Sequence, residues 1–125
     1  MPMRITYAIL VISSLTAFFV SAEDRPALIL GPTDVDSKSV RVVGAEPNVN
    51  MIIHFRGKTQ KEIDALYVTN RGNRILFRRP DGTTTQPGVW GSRHVDAKDN
   101  IIGTVVIYSK KQDARDAASV LRESH

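Results

Sequence analysis

Three histidines, His54, His94 and His125, are the side chains best suited to metal ligation or proton transfer, and none stands at the short spacing a zinc site needs. The chain contains no cysteine, so thiolate ligands, sulfur nucleophiles and disulfides are all excluded. Ser92, Arg93, His94 and Asp96 bring the residue types of a hydrolytic triad into close succession. In an extended segment, however, successive side chains alternate between faces, and those on one face form a row instead of converging on a point. No Gly-x-Ser-x-Gly elbow accompanies them. Phosphate-loop and dinucleotide fingerprints are missing, and Arg56-Gly57-Lys58 and Arg71-Gly72-Asn73 are turn sequences. The expectation is a protein that is not an enzyme and uses neither metal nor cofactor.

Charge is more informative. Between Asn70 and Val95 stand Arg71, Arg74, Arg78, Arg79 and Arg93, with Asp81 as the only acid and no lysine. Arginine presents a rigid fork of donors that suits carboxylate and phosphate groups. The single tryptophan, Trp90, lies within Pro87-Gly88-Val89-Trp90-Gly91, where it either plugs the core or projects as an interaction anchor. Together these arginines and Trp90 form the expected partner-binding surface, with a protein as the favoured partner and nucleic acid as the weaker one. The plainer reading of a positive hairpin is a solvated face that also blunts an edge strand.

These residues need a scaffold. Val49, Met51, Ile53 and Phe55 alternate with Asn50, Ile52, His54 and Arg56, the period of a strand with one buried face. Thr59 and Glu62 match a capping box, and Ile63, Leu66 and Tyr67 follow at helical spacing. That helix is expected to be brief, with the chain extended by Tyr67. A competing reading pairs a strand at 65–69 with one at 74–78 across Asn70-Arg71-Gly72-Asn73. Ile75-Leu76-Phe77 is a further strand, closed by the turn Pro80-Asp81-Gly82. Residues 83–95 are polar and interrupted by glycine, so Trp90 is expected in a mobile loop. Residues 101–108 are apolar on both faces, which predicts a central strand covered on two sides. Ser109 and Gln112 repeat the capping pattern, and Ala114, Ala117, Ala118 and Leu121 recur as an amphipathic helix. The order predicts an α+β fold, a small antiparallel sheet with one or two helices packed on one face.

The start of the chain carries a different signal. Arg4 precedes an uncharged apolar run from Ile5 to Val20, followed by Ser21-Ala22 and then by Glu23-Asp24-Arg25. A charged start, an apolar middle and a small-residue exit define residues 1–22 as a cleavable secretory signal peptide. Losing Arg4 lowers the formal charge from +4 to +3. Residues 23–48, rich in Pro, Asp, Ser and Gly, are expected to be a flexible leader with at most a short strand at Ser39–Val43. Residues 49–125 then form a single domain. A secreted domain without cysteines must rely on burial alone, and such a chain also suits a reducing compartment such as another cell's cytosol.

A signal peptide, a Pro/Ser/Asp-rich leader and a small cysteine-free body together resemble the secreted effectors of oomycete plant pathogens. In that family the leader carries an Arg-x-Leu-Arg translocation motif. The matching place here is Arg41-Val42-Val43-Gly44, where Arg41 fits, Val43 stands for the leucine and Gly44 for the second arginine. The resemblance implies a virulence protein delivered into the host cytoplasm or nucleus that binds a host protein and suppresses immunity or cell death. The alternative is an extracellular or periplasmic module that binds a ligand or a surface.

Overall fold

The computed structural model describes residues 25–123, so the signal-peptide segment, residues 1–22, lies outside the described residues. Six strands are present: β1 (Leu28–Leu30), β2 (Arg41–Ala45), β3 (Asn48–His54), β4 (Arg74–Phe77), β5 (Gly88–Val95) and β6 (Ile101–Tyr108). Among the described residues two helices accompany them, α1 (Gln60–Asn70) and α2 (Lys111–Glu123). The strands form one sheet in the order β1-β4-β5-β6-β3-β2. All pairs are antiparallel except β1 with β4, so the sheet is mixed at one edge.

One face of the sheet makes the core. The alternation at 49–55 works as expected: Val49, Met51 and Ile53 are fully buried, and Phe55 packs against them. Ile75, Phe77, Trp90, Val106 and Tyr108 join from β4, β5 and β6. Helix α2 lays Ala114, Ala117, Ala118 and Leu121 on this face, small side chains that let it approach the sheet closely. Helix α1 adds Leu66 and Tyr67 to the same cluster, so both helices cover one side. This is the α+β arrangement that the sequence predicts.

Helix α1 opens on the predicted capping box. Thr59 Oγ1 accepts from the Glu62 amide at 3.2 Å, and Glu62 Oε1 accepts from the Thr59 amide at 3.1 Å. The helix does not give way at Tyr67 but continues to Asn70, and no strand forms at 65–69. The reason is a polar knot that holds its last turn. Asn70 Nδ2 donates to the Leu66 carbonyl, and the buried Asn73 donates to Asn70 Oδ1 and to the Pro26 carbonyl. Helix α2 begins at Lys111, whose amide donates to Glu46 Oε1 in the β2–β3 turn at 2.9 Å. Its first turn is thus held by a residue distant in sequence.

Residues 25–48 are not a flexible leader. β1 pairs with β4 and β2 pairs with β3, forming the two edges of the sheet. Between them, two 3-10 turns, Pro32–Asp34 and Ser37–Ser39, route the chain past the ends of the strands. Leu30, Val35 and Val40 all reach the core. Pro26 precedes a strand, Pro32 opens a turn and Pro47 sits in a hairpin loop, so each proline marks a boundary without removing a ladder donor.

Candidate interaction surface

Among the described residues, no helix lies on the second face of the sheet. Strand registers place Val89, Ile107, Asn50 and Val43 in one continuous cross-strand row, with Arg74 opposite Val89 at its end. The next row pairs Val105 with Ile52 and Ile52 with Arg41, and Ile29 lies beside Leu76 at the far edge. Four aliphatic side chains here are notably exposed: Val43 45%, Ile29 44%, Val89 43% and Ile107 36%. At the usual spacing of paired strands the row from Val89 to Val43 spans about 14 Å, with Asn50 interrupting its aliphatic side chains. A run of exposed aliphatic side chains on an uncovered sheet face is a candidate docking surface. The expectation that residues 101–108 are covered on two sides therefore fails, because Ile107 faces outward.

The strands bring charge of only one sign to this face. None of the six strands contains an acidic residue, whereas Arg41, Arg74, His54 and His94 all lie on the open side. Arg74 is tied in place, its Nη2 donating to the Arg25 carbonyl at 2.8 Å. The two histidines stack with ring centroids 4.8 Å apart. They come from β3 and β5, and both pair with Gly103 on the strand between them, so the missing side chain lets the rings meet. A Cβ at Gly103 would also collide with the Ile53 carbonyl.

His54 is held below its ordinary value of 6.5, chiefly by burial, then by the neighbouring His94 and by Arg41, with Asp36 opposing them. Its Nε2 is buried and makes no hydrogen bond. The neutral ring is therefore favoured in the folded chain. As pH falls below about 6.5 the unfolded chain takes up a proton that the fold resists, so stability is present above that value and declines beneath it. The midpoint of thermal unfolding should fall between pH 7 and pH 5, and His54→Gln should flatten that decline. Glu62 and Asp81, both held low by hydrogen bonds from neighbouring threonines, lose their contributions only at more acidic pH.

The arginines expected to act together are dispersed. Arg79 turns to the helix side, where it pairs with Asp116 at 2.5 Å and donates to the Thr84 carbonyl. Arg71 caps the end of α1, Arg78 follows β4 and Arg93 pairs with Thr104, and all three are exposed. Trp90 is 1% exposed and stacks on Phe55 at 5.6 Å, so it is a core residue and cannot serve as a docking anchor. The loop expected around it is β5. A bulge between Trp90 and Arg93 there disguises the alternation, and Thr104 Oγ1 donates to the Ser92 carbonyl beside it. Ser92, Arg93, His94 and Asp96 do not converge: His94 lies against His54, and the Asp96 carboxylate accepts amides of the β5–β6 turn. Among the described residues no three His, Asp or Glu side chains gather as metal ligands.

Arg41-Val42-Val43-Gly44 forms most of β2, an edge strand paired to β3. Whatever reads this segment meets it as folded sheet and not as a loose peptide. The open face was the feature that sequence reasoning missed. Its signal was present in Ile52, Val105 and Ile107, aliphatic residues out of phase with the core set.

No match comes from known proteins. Protein-family models, curated proteins and solved structures were all compared, and none is similar to this chain.

Proposed function

We propose that the chain is an exported, non-enzymatic binding module that docks a partner protein on the uncovered face of its sheet. The observation that carries this reading is the row of exposed aliphatic side chains in a fold whose core is otherwise well filled. Leaving such residues in water costs roughly 25 cal/mol per Å² of apolar surface, a cost that docking removes. The basic rim and the absence of acids on the strands suit a partner whose apolar patch is bordered by Asp or Glu. The signal-peptide-like start and cysteine-free body, which still resemble those of oomycete effectors, favour a host-plant protein as that partner and immune suppression as the outcome.

The test is expression of the chain from Glu23 in leaf cells, scored for suppression of cell death. Val89→Lys and Val43→Lys should each abolish suppression while lowering stability by no more than about 1 kcal/mol. Val68, exposed on α1 away from this face, provides the comparison: Val68→Lys should leave suppression intact. Equal activity in all three variants would remove the face from the account.

A further inference from the structure

We propose that the free edge of β2, together with the cleft beside it, binds an extended acidic segment of a partner by adding it to the sheet. β2 ends the sheet, and Val43, Gly44 and Ala45 are exposed. An edge strand offers a row of amides and carbonyls with no partner in the sheet. Within Arg41–Ala45 there is no lysine, proline or register shift, and the positive φ of Gly44 limits the extended edge to Arg41–Val43. Its single charge, Arg41, lies on the open face of the sheet.

On the other side of β2 a cleft of about 610 Å³ separates Val42 from α2. Val42 and Ala118 give it an apolar floor, and Arg115, Ser119 and Arg122 give it a polar wall. Arg115 is exposed and enters no ion pair among the described residues. Arg122 donates one nitrogen to the Val40 carbonyl at 2.7 Å and retains further donors. Two acids near this wall are already engaged. Asp116 holds Arg79, and Glu46 is engaged by the Lys111 amide.

An added strand alternates its side chains across the sheet. One set would face the guanidinium groups of the cleft, and the other would extend the aliphatic floor beside Val43. The edge therefore selects a segment that alternates acidic and aliphatic residues, with backbone pairing for affinity and the arginines for specificity. A second copy of this chain suits the edge poorly. Pairing β2 with itself would set the two α2 helices side by side on one face, with Arg115 and Arg122 of each copy confronting their own kind. The cleft lies on the helix side, so this binding mode meets docking on the open face only at the Val43 border.

The test uses the chain from Glu23 and a fluorescent peptide of about eight alternating Glu and Val residues, a common strand length. The Glu/Val peptide should bind, and its Lys/Val counterpart should not. Arg115→Glu should weaken binding by about tenfold or more without changing thermal stability. Methylating alternate backbone amides of the peptide should abolish binding, whereas Val89→Lys on the open face should leave it unchanged. Absence of Glu/Val binding, equal binding of the Lys/Val peptide, or indifference to Arg115→Glu or to amide methylation would each overturn the proposal. So would sedimentation of the free chain as a dimer that Val43→Pro dissociates, since a second copy would then occupy the edge.

Discussion

A chain shortened to begin at Val49 is expected to show no cooperative unfolding transition, while one beginning at Glu23 melts as a single unit. The cut removes Leu30, Val35 and Val40 from the core, together with both edge strands. Burying one such aliphatic side chain contributes about 1.5–3 kcal/mol, so three approach the whole stability of a small domain, about 5–15 kcal/mol. The loss is also structural. Without β1 the knot that joins Asn73 to the Pro26 carbonyl is broken, and without β2 the outer side of β3 is bare. Circular dichroism across a thermal ramp decides the matter. A sigmoidal melt from the chain starting at Val49 would mean that residues 25–48 are dispensable after all.

Trp90→Ala should be nearly as damaging. Removing a large buried aromatic typically costs about 3–5 kcal/mol, because the cavity left behind collapses only in part. For a domain of this size each kcal/mol shifts the unfolding midpoint by about 4–8 °C, so a fall of about 12 °C or more is expected. Trp90→Phe should cost far less, since it keeps a ring against Phe55 and removes an indole nitrogen that has no hydrogen-bond partner. If the alanine variant kept its midpoint and lost only partner binding, Trp90 would be an anchor and its burial would not matter.

The neighbours of Trp90 show why its environment was hard to read. Gly88 and Gly91 suggest a mobile loop, yet both serve close approach within the sheet. A Cβ at Gly88 would strike Val106 and the Tyr108 ring, and one at Gly91 would lie 2.8 Å from the Val105 carbonyl oxygen. Glycine in a strand often marks such contacts, and only the neighbouring strand distinguishes them from flexibility. The same limit explains residues 25–48. β1 has only three residues, too few for any period to emerge, and its burial depends on β4, which is far away in sequence. Where a pattern could repeat, it was legible: β3 from its alternation, α2 from its alanine stripe and α1 from its cap. The end of α1 was not, because Asn70 and Asn73 stabilise it through bonds that have no sequence period.

The candidate site was legible only in fragments. The arginines at 71–93 were visible as a cluster in sequence, but strand alternation and the Arg79–Asp116 pair scatter them in space. Arg41–Gly44 was singled out for a motif and proves to matter as an edge strand. Ile52, Val105 and Ile107 gave the second apolar face, and nothing in a linear pattern says whether such a face is covered from within the chain or from outside.

The central claim, that the uncovered sheet face is where a partner protein docks, is tested most directly by photo-crosslinking in leaf cells. A benzophenone side chain would be placed at Val89, at Ile107 or, for comparison, at Val68 on α1. The account predicts that Val89 and Ile107 capture the same host protein and that Val68 does not. Capture from Val68 alone, equal capture from all three positions, or none from Val89 and Ile107 would contradict it.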